Sequence, residues 1–364
     1  MFAVNWQSLQ KEIDQQNMLA LLESFPRQVE EAIEIGRNFD ISQIEKTDIR
    51  NLVFSGMGGS AIGGDLLKLL GTHQLKVPVE VVRNYFVPEF LSDKTLFTAF
   101  SFSGNTEETI SAFKHAGEKH ARRLVISSGG QLKELCREAH VPFVQIPGGR
   151  PPRTALGYLM IPILVILSRL GFFQNRDNPL GELQLYLRTA KEKYRLETET
   201  VDNPAKKLAL KLVNRVPIIY SSVDMSAVGL RWKGQFSENA KVPAFQNVVP
   251  EMNHNEIVGW ERVANLALED KLQVIFLRDS QDYKRIQSRM EITETIVAKA
   301  AKSRPIRIES EGEGRLTRLF SFIYLSDFTS YYLALLNKVD PTPIPFIDVL
   351  KDTLAKIPVD EPSK

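Results

Sequence analysis

From residue 51 onward, short apolar runs alternate with amphipathic stretches. The runs at Asn51–Phe54, Val79–Arg83, Thr95–Phe100, Arg123–Ser127 and Pro142–Gln145 have strand length, and the segments between them place apolar residues at helical spacing. This alternation predicts an α/β fold, a mainly parallel sheet with helices on both faces. Ahead of it, Met1–Thr47 reads as helical, with Leu19, Leu22, Phe25, Val29 and Ile33 on one stripe, and is expected on the outside of the first domain. The Pro- and Gly-rich loop Pro147–Arg153 closes the first sheet. The helix Thr154–Leu170 follows, and its most apolar part, Leu156–Leu167, is too short to span a bilayer and contains Pro162, so it is expected between layers.

The pattern turns polar over Gly171–Glu199, which reads as a helical linker, and then the alternation restarts. Strands are expected at Val216–Ser221, Leu272–Leu277 and Pro305–Ile308, with helices at Val228–Phe236 and Tyr283–Ala301. The predicted organisation is a helical segment over 1–48, a first α/β unit over 49–170, a linker over 171–204 and a second unit with C-terminal helices over 205–364. The halves share a plan: VPIIYSS answers NLVFSG, and LQVIFLRD answers LFTAFSFSG. A duplicated fold accounts for this, and two adjacent unrelated α/β domains are the alternative. Arg315–Leu336 is apolar nearly all round, which marks it as a candidate dimer surface.

Composition narrows the class without naming a function. The 364 residues are 43% hydrophobic and 25% charged, as in globular proteins, and are long enough for two cores. Lys and Arg number 46 against 44 Asp and Glu, so charge gives no reason to invoke nucleic acid or a membrane surface. The single cysteine, Cys136, permits no intramolecular disulfide and is expected to be a reduced, partly buried thiol. The opening MFAVNWQSLQKEIDQQNM lacks the basic start and apolar core of a secretory signal, so a cytoplasmic protein is expected.

Two loops carry the candidate chemistry. Residues 99–110, AFSFSGNTEETI, run from a strand through Ser101, Ser103, Gly104, Asn105 and Thr106 into an acidic helix start. Hydroxyls and a glycine at a helix N-terminus suit a phosphate, because unpaired N–H groups and the helix dipole favour negative charge there. Ordinary capping by Asn105 or Thr106 with Glu108 is the bland alternative. Upstream, LVFSGMGGSAIGGD at 52–65 is a second strand, glycine turn and helix start, and two such loops on successive units converge at one sheet edge. Gly56, Gly58 and Ala61 also fit a loose dinucleotide-binding motif, but the following VPVEVVRNY ends in Arg83 and Asn84 where a ribose-binding acid is expected.

These pieces, with GGRPPRTALGYL, FSENAKVP, PEMNHNEIVGW and YLSDFTSYYLALLNKVDPTPIPFIDVLK in this order, resemble the sugar isomerase (SIS) domain superfamily. More narrowly, the chain from Leu52 to about Lys351 resembles the bifunctional phosphoglucose/phosphomannose isomerase family. The resemblance implies two SIS-type αβα domains and an aldose-ketose isomerase that interconverts glucose 6-phosphate or mannose 6-phosphate with fructose 6-phosphate. It implies that Gly58, Gly59 and Ser60 line the sugar and that Ser101, Ser103 and Thr106 hold the phosphate. It also implies Arg153 beside the reacting carbons, Glu238 as base, His254 in ring opening, Lys351 as a further contact and Thr342 as the hydroxyl that admits both epimers. A homodimer whose histidine comes from the partner chain is part of the same expectation.

The residues themselves leave plainer roles open. Glu238 in FSENAKVP suits a helix end facing a cleft, where a carboxylate of tuned pKa can shuttle a proton between adjacent carbons, yet a solvated surface glutamate fits too. His254 has the protonation chemistry for ring opening, or is a hydrogen-bonded loop histidine. Arg153 could stabilise a developing enediolate, with Arg150 the competing choice. Lys351 on a terminal amphipathic helix reads independently as solvated. The remaining histidines, 73, 115, 120 and 140, fall on apparent surface helices and no cluster has metal-ligand spacing, so neither metal nor cofactor is expected. A non-catalytic sugar-phosphate-binding regulator and an isomerase of a related amino sugar phosphate are the alternatives; an amidotransferase-coupled enzyme would need an N-terminal cysteine domain that is missing.

Overall fold

The structure is a computed structural model in which residues 4–173 and 179–357 are described. The amphipathic start forms three helices, α1 (Trp6–Ile13), α2 (Met18–Glu23) and α3 (Phe25–Asn38). Asn5 caps the first by accepting from the Ser8 N–H, and Pro26 sits in the first turn of the third, where a missing N–H leaves no bond unmade. α3 covers one side of the first sheet unit, as expected. α1 instead turns toward the second: Trp6 is buried, donates its Nε1–H to Thr200 and meets the Tyr332 ring edge-on at 5.1 Å. The N-terminal stretch therefore ties the two halves together rather than lying outside one.

The first unit runs β1 (Asn51–Gly56), α4 (Gly58–Gly71), β2 (Val79–Val82), β3 (Thr95–Phe100), α5 (Glu107–Glu118), β4 (Arg122–Ser127), α6 (Gly130–Glu138), β5 (Phe143–Gln145) and α7 (Leu156–Arg169). Its strands pair in parallel in the order β2-β1-β3-β4-β5, at the positions the apolar runs predict. β3 is buried along its whole length, which is why its sequence is continuously apolar rather than alternating. α7 is buried from Leu156 to Leu167, between layers as expected.

The chain continues through α8 (Pro179–Tyr194), α9 (Pro204–Leu212), β6 (Val216–Ser222), α10 (Ser226–Glu238), β7 (Phe245–Val249), β8 (Leu272–Arg278), α11 (Lys284–Ala300), β9 (Ile306–Glu309), α12 (Arg315–Leu336) and α13 (Pro345–Leu354). The second sheet is also parallel, in the order β7-β6-β8-β9, the permutation of the first four strands of the other sheet. This shared order supports duplication over two unrelated domains. β7 is a strand that the sequence pattern does not predict.

Three expectations are corrected. α12 is not a free dimer surface: it is buried from Leu316 to Leu335, packed by α8, α9 and α10 of its own chain. It is long and apolar enough to cross a membrane, yet 94% of its most apolar window lies inside the fold, so its all-round hydrophobicity is that of a central core helix. Of the four first-unit histidines only His115 is helical; His73 lies in a turn, and His120 and His140 take left-handed conformations just past helix ends. Cys136 is 2% exposed rather than partly buried, and burial pushes its thiol up to about 12, which makes it unreactive.

α4 and α10, the equivalent helices of the two units, pack antiparallel. Gly58 at the start of α4 shares a cleft with Glu238 at the end of α10, while Asp224, just before α10, approaches His73, just after α4, at 3.9 Å. The carboxyl edge of the first sheet is thereby closed by the last turn of a helix from the second. At the carboxyl edge of the second sheet the β8–α11 turn carries Asp279 and Asp282 with Arg318 across it, so no phosphate cup is repeated there.

Candidate active site

Because strand order reverses between β1 and β3, the loops that follow them splay apart and leave a crevice. The β3–α5 loop fills one side. Thr106 occupies the N-cap position of α5 but caps nothing; its Oγ1 lies 2.9 Å from the Ser101 Oγ, which accepts from the Gly104 N–H at 3.1 Å. Simple capping is thus excluded for Thr106, which leaves the first N–H groups of α5 without a cap from it. Ser101 is fully buried and braces the loop, whereas Ser103 is exposed and Thr106 partly exposed. Asn105 does cap a helix, but a different one: its Oδ1 accepts from the Gln131 N–H of α6 at 2.9 Å. Gly104, at φ +72°, brings the loop so close to the next turn that an added Cβ would lie 1.8 Å from the Gly129 carbonyl oxygen.

The β1–α4 loop forms the other side. Ser60 links the two loops by accepting from the Phe102 N–H. Gly59 allows Arg153 to approach, since an added Cβ would stand 3.1 Å from the Arg153 Cα. Beyond it opens a cleft of about 380 Å³, lined by Gly58, Gly59, Arg153 and Glu238 among others.

Arg153 and Glu238 meet in this cleft at 3.5 Å. The Arg153 guanidinium is held on its other edges: Nε donates to Asn239 Oδ1 at 2.7 Å, and Nη2 donates to the carbonyls of Pro341 and Thr342 at 2.6 and 2.8 Å. Burial lowers its pKa, opposed by Glu238 and reinforced by Arg231. A fixed, desolvated cation facing a partly exposed carboxylate is the arrangement needed to hold negative charge on a substrate oxygen while the carboxylate moves a proton. Arg150 points elsewhere, over the Tyr158 ring at 5.1 Å, and of the two only Arg153 lines the cleft with Glu238.

Behind this pair lies a buried polar network that the sequence pattern does not announce. Asn239 donates to Ser330 Oγ; Arg231 and Gln235 both donate to Asp327, and Arg231 also donates to the Arg153 carbonyl. At the exposed edge of this network Lys241 donates to the Glu238 and Pro343 carbonyls, and partial desolvation followed by the nearby Arg153 pulls its pKa down. The signal was present, because Asn239 and Lys241 stand inside FSENAKVP and Asp327 and Ser330 inside YLSDFTSYY. Thr342 is nearly buried and its Oγ1 has no partner, beside Arg153.

Two expected residues are not gathered into the cleft. His254 is exposed on the segment after β7, at the carboxyl edge of the second sheet. α10 runs back from that edge for 13 residues, about 20 Å, before reaching Glu238, so within one chain the length of that helix separates the two sheet edges that carry them. The segment bearing His254 is itself fixed, since Glu256 accepts from the Tyr220 hydroxyl and from Asn247 Nδ2. Lys351 is exposed on α13, a helix that buries none of its residues. Among the described residues no three His, Cys, Asp or Glu side chains come together as metal ligands.

Comparison with known proteins meets this geometry at several levels. Residues 201–354 match the family described as bacterial phospho-glucose isomerase C-terminal SIS domain. A bifunctional phosphoglucose/phosphomannose isomerase of Caldicellulosiruptor bescii is 43% identical over 92% of this chain and 98% of its own length. One from Aquifex aeolicus is 33% identical over 85% of this chain and 92% of its own. Among solved structures, the C-terminal domain of glucosamine-fructose-6-phosphate aminotransferase from Francisella tularensis superposes with a TM-score of 0.70 at 14% identity, covering 90% of this chain and 98% of that one, a likeness of fold. With the paired SIS units, the hydroxyl-lined loop and relatives matched over nearly their full length, the chain belongs to the bifunctional phosphoglucose/phosphomannose isomerase family.

Proposed function

We propose that this protein is an aldose-ketose isomerase that interconverts fructose 6-phosphate with glucose 6-phosphate and mannose 6-phosphate in the cytoplasm, without a metal. The first SIS unit, 49–170, supplies the phosphate cup from Ser101, Ser103 and Thr106 and the sugar-facing Gly58, Gly59 and Ser60. The second, within 205–364, supplies Glu238. In the aldose-to-ketose direction Glu238 takes the C2 proton, and the C–H electron pair forms the C1=C2 bond of a cis-enediol(ate) as the C1=O1 π pair moves onto O1. A proton passes from O2 to O1, and C2=O2 forms as the C1=C2 pair takes the proton back from Glu238 at C1. Arg153 faces the oxygen that carries the negative charge. C2 is planar in the intermediate, so both epimers converge on it, and the unpartnered Thr342 hydroxyl gives their differing C2 substituents a flexible hydrogen-bonding neighbour.

The topological separation of His254 from Glu238 supports a homodimer in which His254 and the exposed α13 with Lys351 complete the site of the partner, His254 opening the ring. The observation that carries the whole reading is the 3.5 Å approach of buried Arg153 to Glu238 in a cleft floored by glycines. A coupled assay of both aldose products from fructose 6-phosphate, with and without chelator, tests it. Turnover of both is expected in either buffer, reduced about a thousandfold in Glu238→Gln; undiminished turnover in that variant removes the proposed base.

A further inference from the structure

The cleft does not end at the reacting carbons. From Gly58 and Glu238 it follows the seam between α4 and α10, past Ile62 and Leu230, to Arg83 and Lys233. Asp65, the ion-pair partner of Arg83, lies about two helical turns, some 10 Å, along α4 from Gly58. Arg83 is braced from behind by that carboxylate, makes no other hydrogen bond among the described residues and keeps 34% of its side chain exposed. Lys233 is exposed and pairs with no carboxylate among the described residues.

The charge of this wall exceeds what the proton relay uses. Four cations, Arg83, Arg153, Arg231 and Lys233, line the cleft against one carboxylate, Glu238. Arg231 is neutralised by the buried Asp327 at 2.9 Å, Arg153 faces Glu238 and Arg83 is paired with Asp65, which leaves Lys233 as the unpaired charge and the exposed part of the Arg83 guanidinium as further N–H donors beside it. A monophosphate has no call on them, because its phosphoryl group is taken by neutral hydroxyls at the opposite end of the sugar.

We propose that Arg83 and Lys233 form a second anion subsite beyond C1, which makes hexose phosphates with a further phosphoryl group on O1 competitive ligands of this site. The inference rests on the reading that places C1 and C2 at Glu238. A ketose whose O1 is esterified cannot turn C1 into the aldehyde carbon, because O1 has no proton to give up, so such a ligand occupies the cleft without being isomerised. The site would thereby report on a doubly phosphorylated hexose made from its own product by phosphoryl transfer to O1.

Fructose 1,6-bisphosphate is the probe, with calorimetry for binding and initial rates for competition against fructose 6-phosphate. The Arg83→Met/Lys233→Met variant is expected to bind the bisphosphate about tenfold more weakly, while the KM for fructose 6-phosphate stays within about twofold. Equal bisphosphate affinity in variant and wild type overturns the subsite. So does a parallel rise in both constants, which would mean that the pair holds the 6-phosphate. Because loss of Arg83 leaves Asp65 unpaired, Lys233→Glu at its exposed position is the second variant, expected to weaken the bisphosphate with an unchanged melting temperature. Calorimetry needs no turnover: binding lost in these variants of a protein inactive on fructose 6-phosphate would sink the isomerase reading alone, and turnover without such binding would sink the subsite alone.

Discussion

Asn239 Oδ1 accepts the Nε–H of Arg153 at 2.7 Å, one residue past the Glu238 that the same guanidinium faces at 3.5 Å. A single short stretch at the end of α10 thus supplies both the carboxylate and the group that aims its cation. Asn239 is fully buried, and its Nδ2 donates to Ser330 on α12. Asn239→Leu should lower kcat about tenfold or more by letting the guanidinium turn, with a smaller change in KM. Asn239→Asp keeps the acceptor for Arg153 and should recover part of the loss. If both variants lose only thermal stability and keep kcat, Asn239 is merely structural.

The phosphate loop makes a different kind of prediction. Thr106 spends its hydroxyl on Ser101 at 2.9 Å rather than on α5, so Thr106→Val should leave the helix formed but, if the proposed phosphate cup is right, weaken the hold on the phosphoryl group. KM for fructose 6-phosphate is expected to rise about tenfold with kcat nearly unchanged, because binding lost equally in ground and transition state appears in KM. Steady-state kinetics with circular dichroism of the variant provide the check, and a kcat effect without a KM effect would move the phosphate elsewhere.

What the chain discloses before folding depends on whether an element's fate is set locally. The apolar runs of β1, β3, β4, β6 and β8 are long, continuous and flanked by turns, so their strand identity is plain from pattern alone. β7 is not: FQNVV is short, half polar, only partly buried through most of its length and set between two prolines, and it becomes a strand because β6 offers it an edge. α12 shows the converse. Its all-round hydrophobicity correctly announces that every face is covered, but pattern cannot say whether by a partner or by its own chain. In the site, loops with glycines and hydroxyls declare themselves, whereas Asn239, Asp327 and Lys241 gain meaning only from what burial places opposite them.

Asp282 gives the fold a measurable pH signature away from the cleft. It is 7% exposed with an unpartnered Oδ2, and burial, with Asp279 and Asp224 adding to it, raises its pKa from 3.8 to about 6. Between those values the folded chain binds more protons than the unfolded one, so this group's contribution to stability falls as pH rises through the window. Its cost is absent below about pH 4 and complete above about pH 6. Asp282→Asn should therefore raise the melting temperature at pH 8 and leave it unchanged near pH 4; an equal shift at both values would show that the carboxyl is not titrating in the folded state.

The separation of His254 from Glu238 leads to a test that needs no crystal. In one chain Glu238 ends α10 while His254 lies after β7, at the sheet edge from which α10 starts, so a working site that uses both must draw them from different copies. Glu238→Gln and His254→Ala chains should each be nearly inactive as homodimers. Mixed by co-refolding, half the dimers should be heterodimers, and each of those carries one site with both side chains intact and one with neither. Activity should return to about a quarter of the wild-type value, the fraction set by two-fold symmetry. Dilution of the wild-type protein below its dimer dissociation constant should abolish turnover in parallel. A mixture that stays inactive while heterodimers are present by native mass spectrometry would place both residues' work within one chain, and would require the segment after β7 to travel the length of α10, about 20 Å, to meet Glu238.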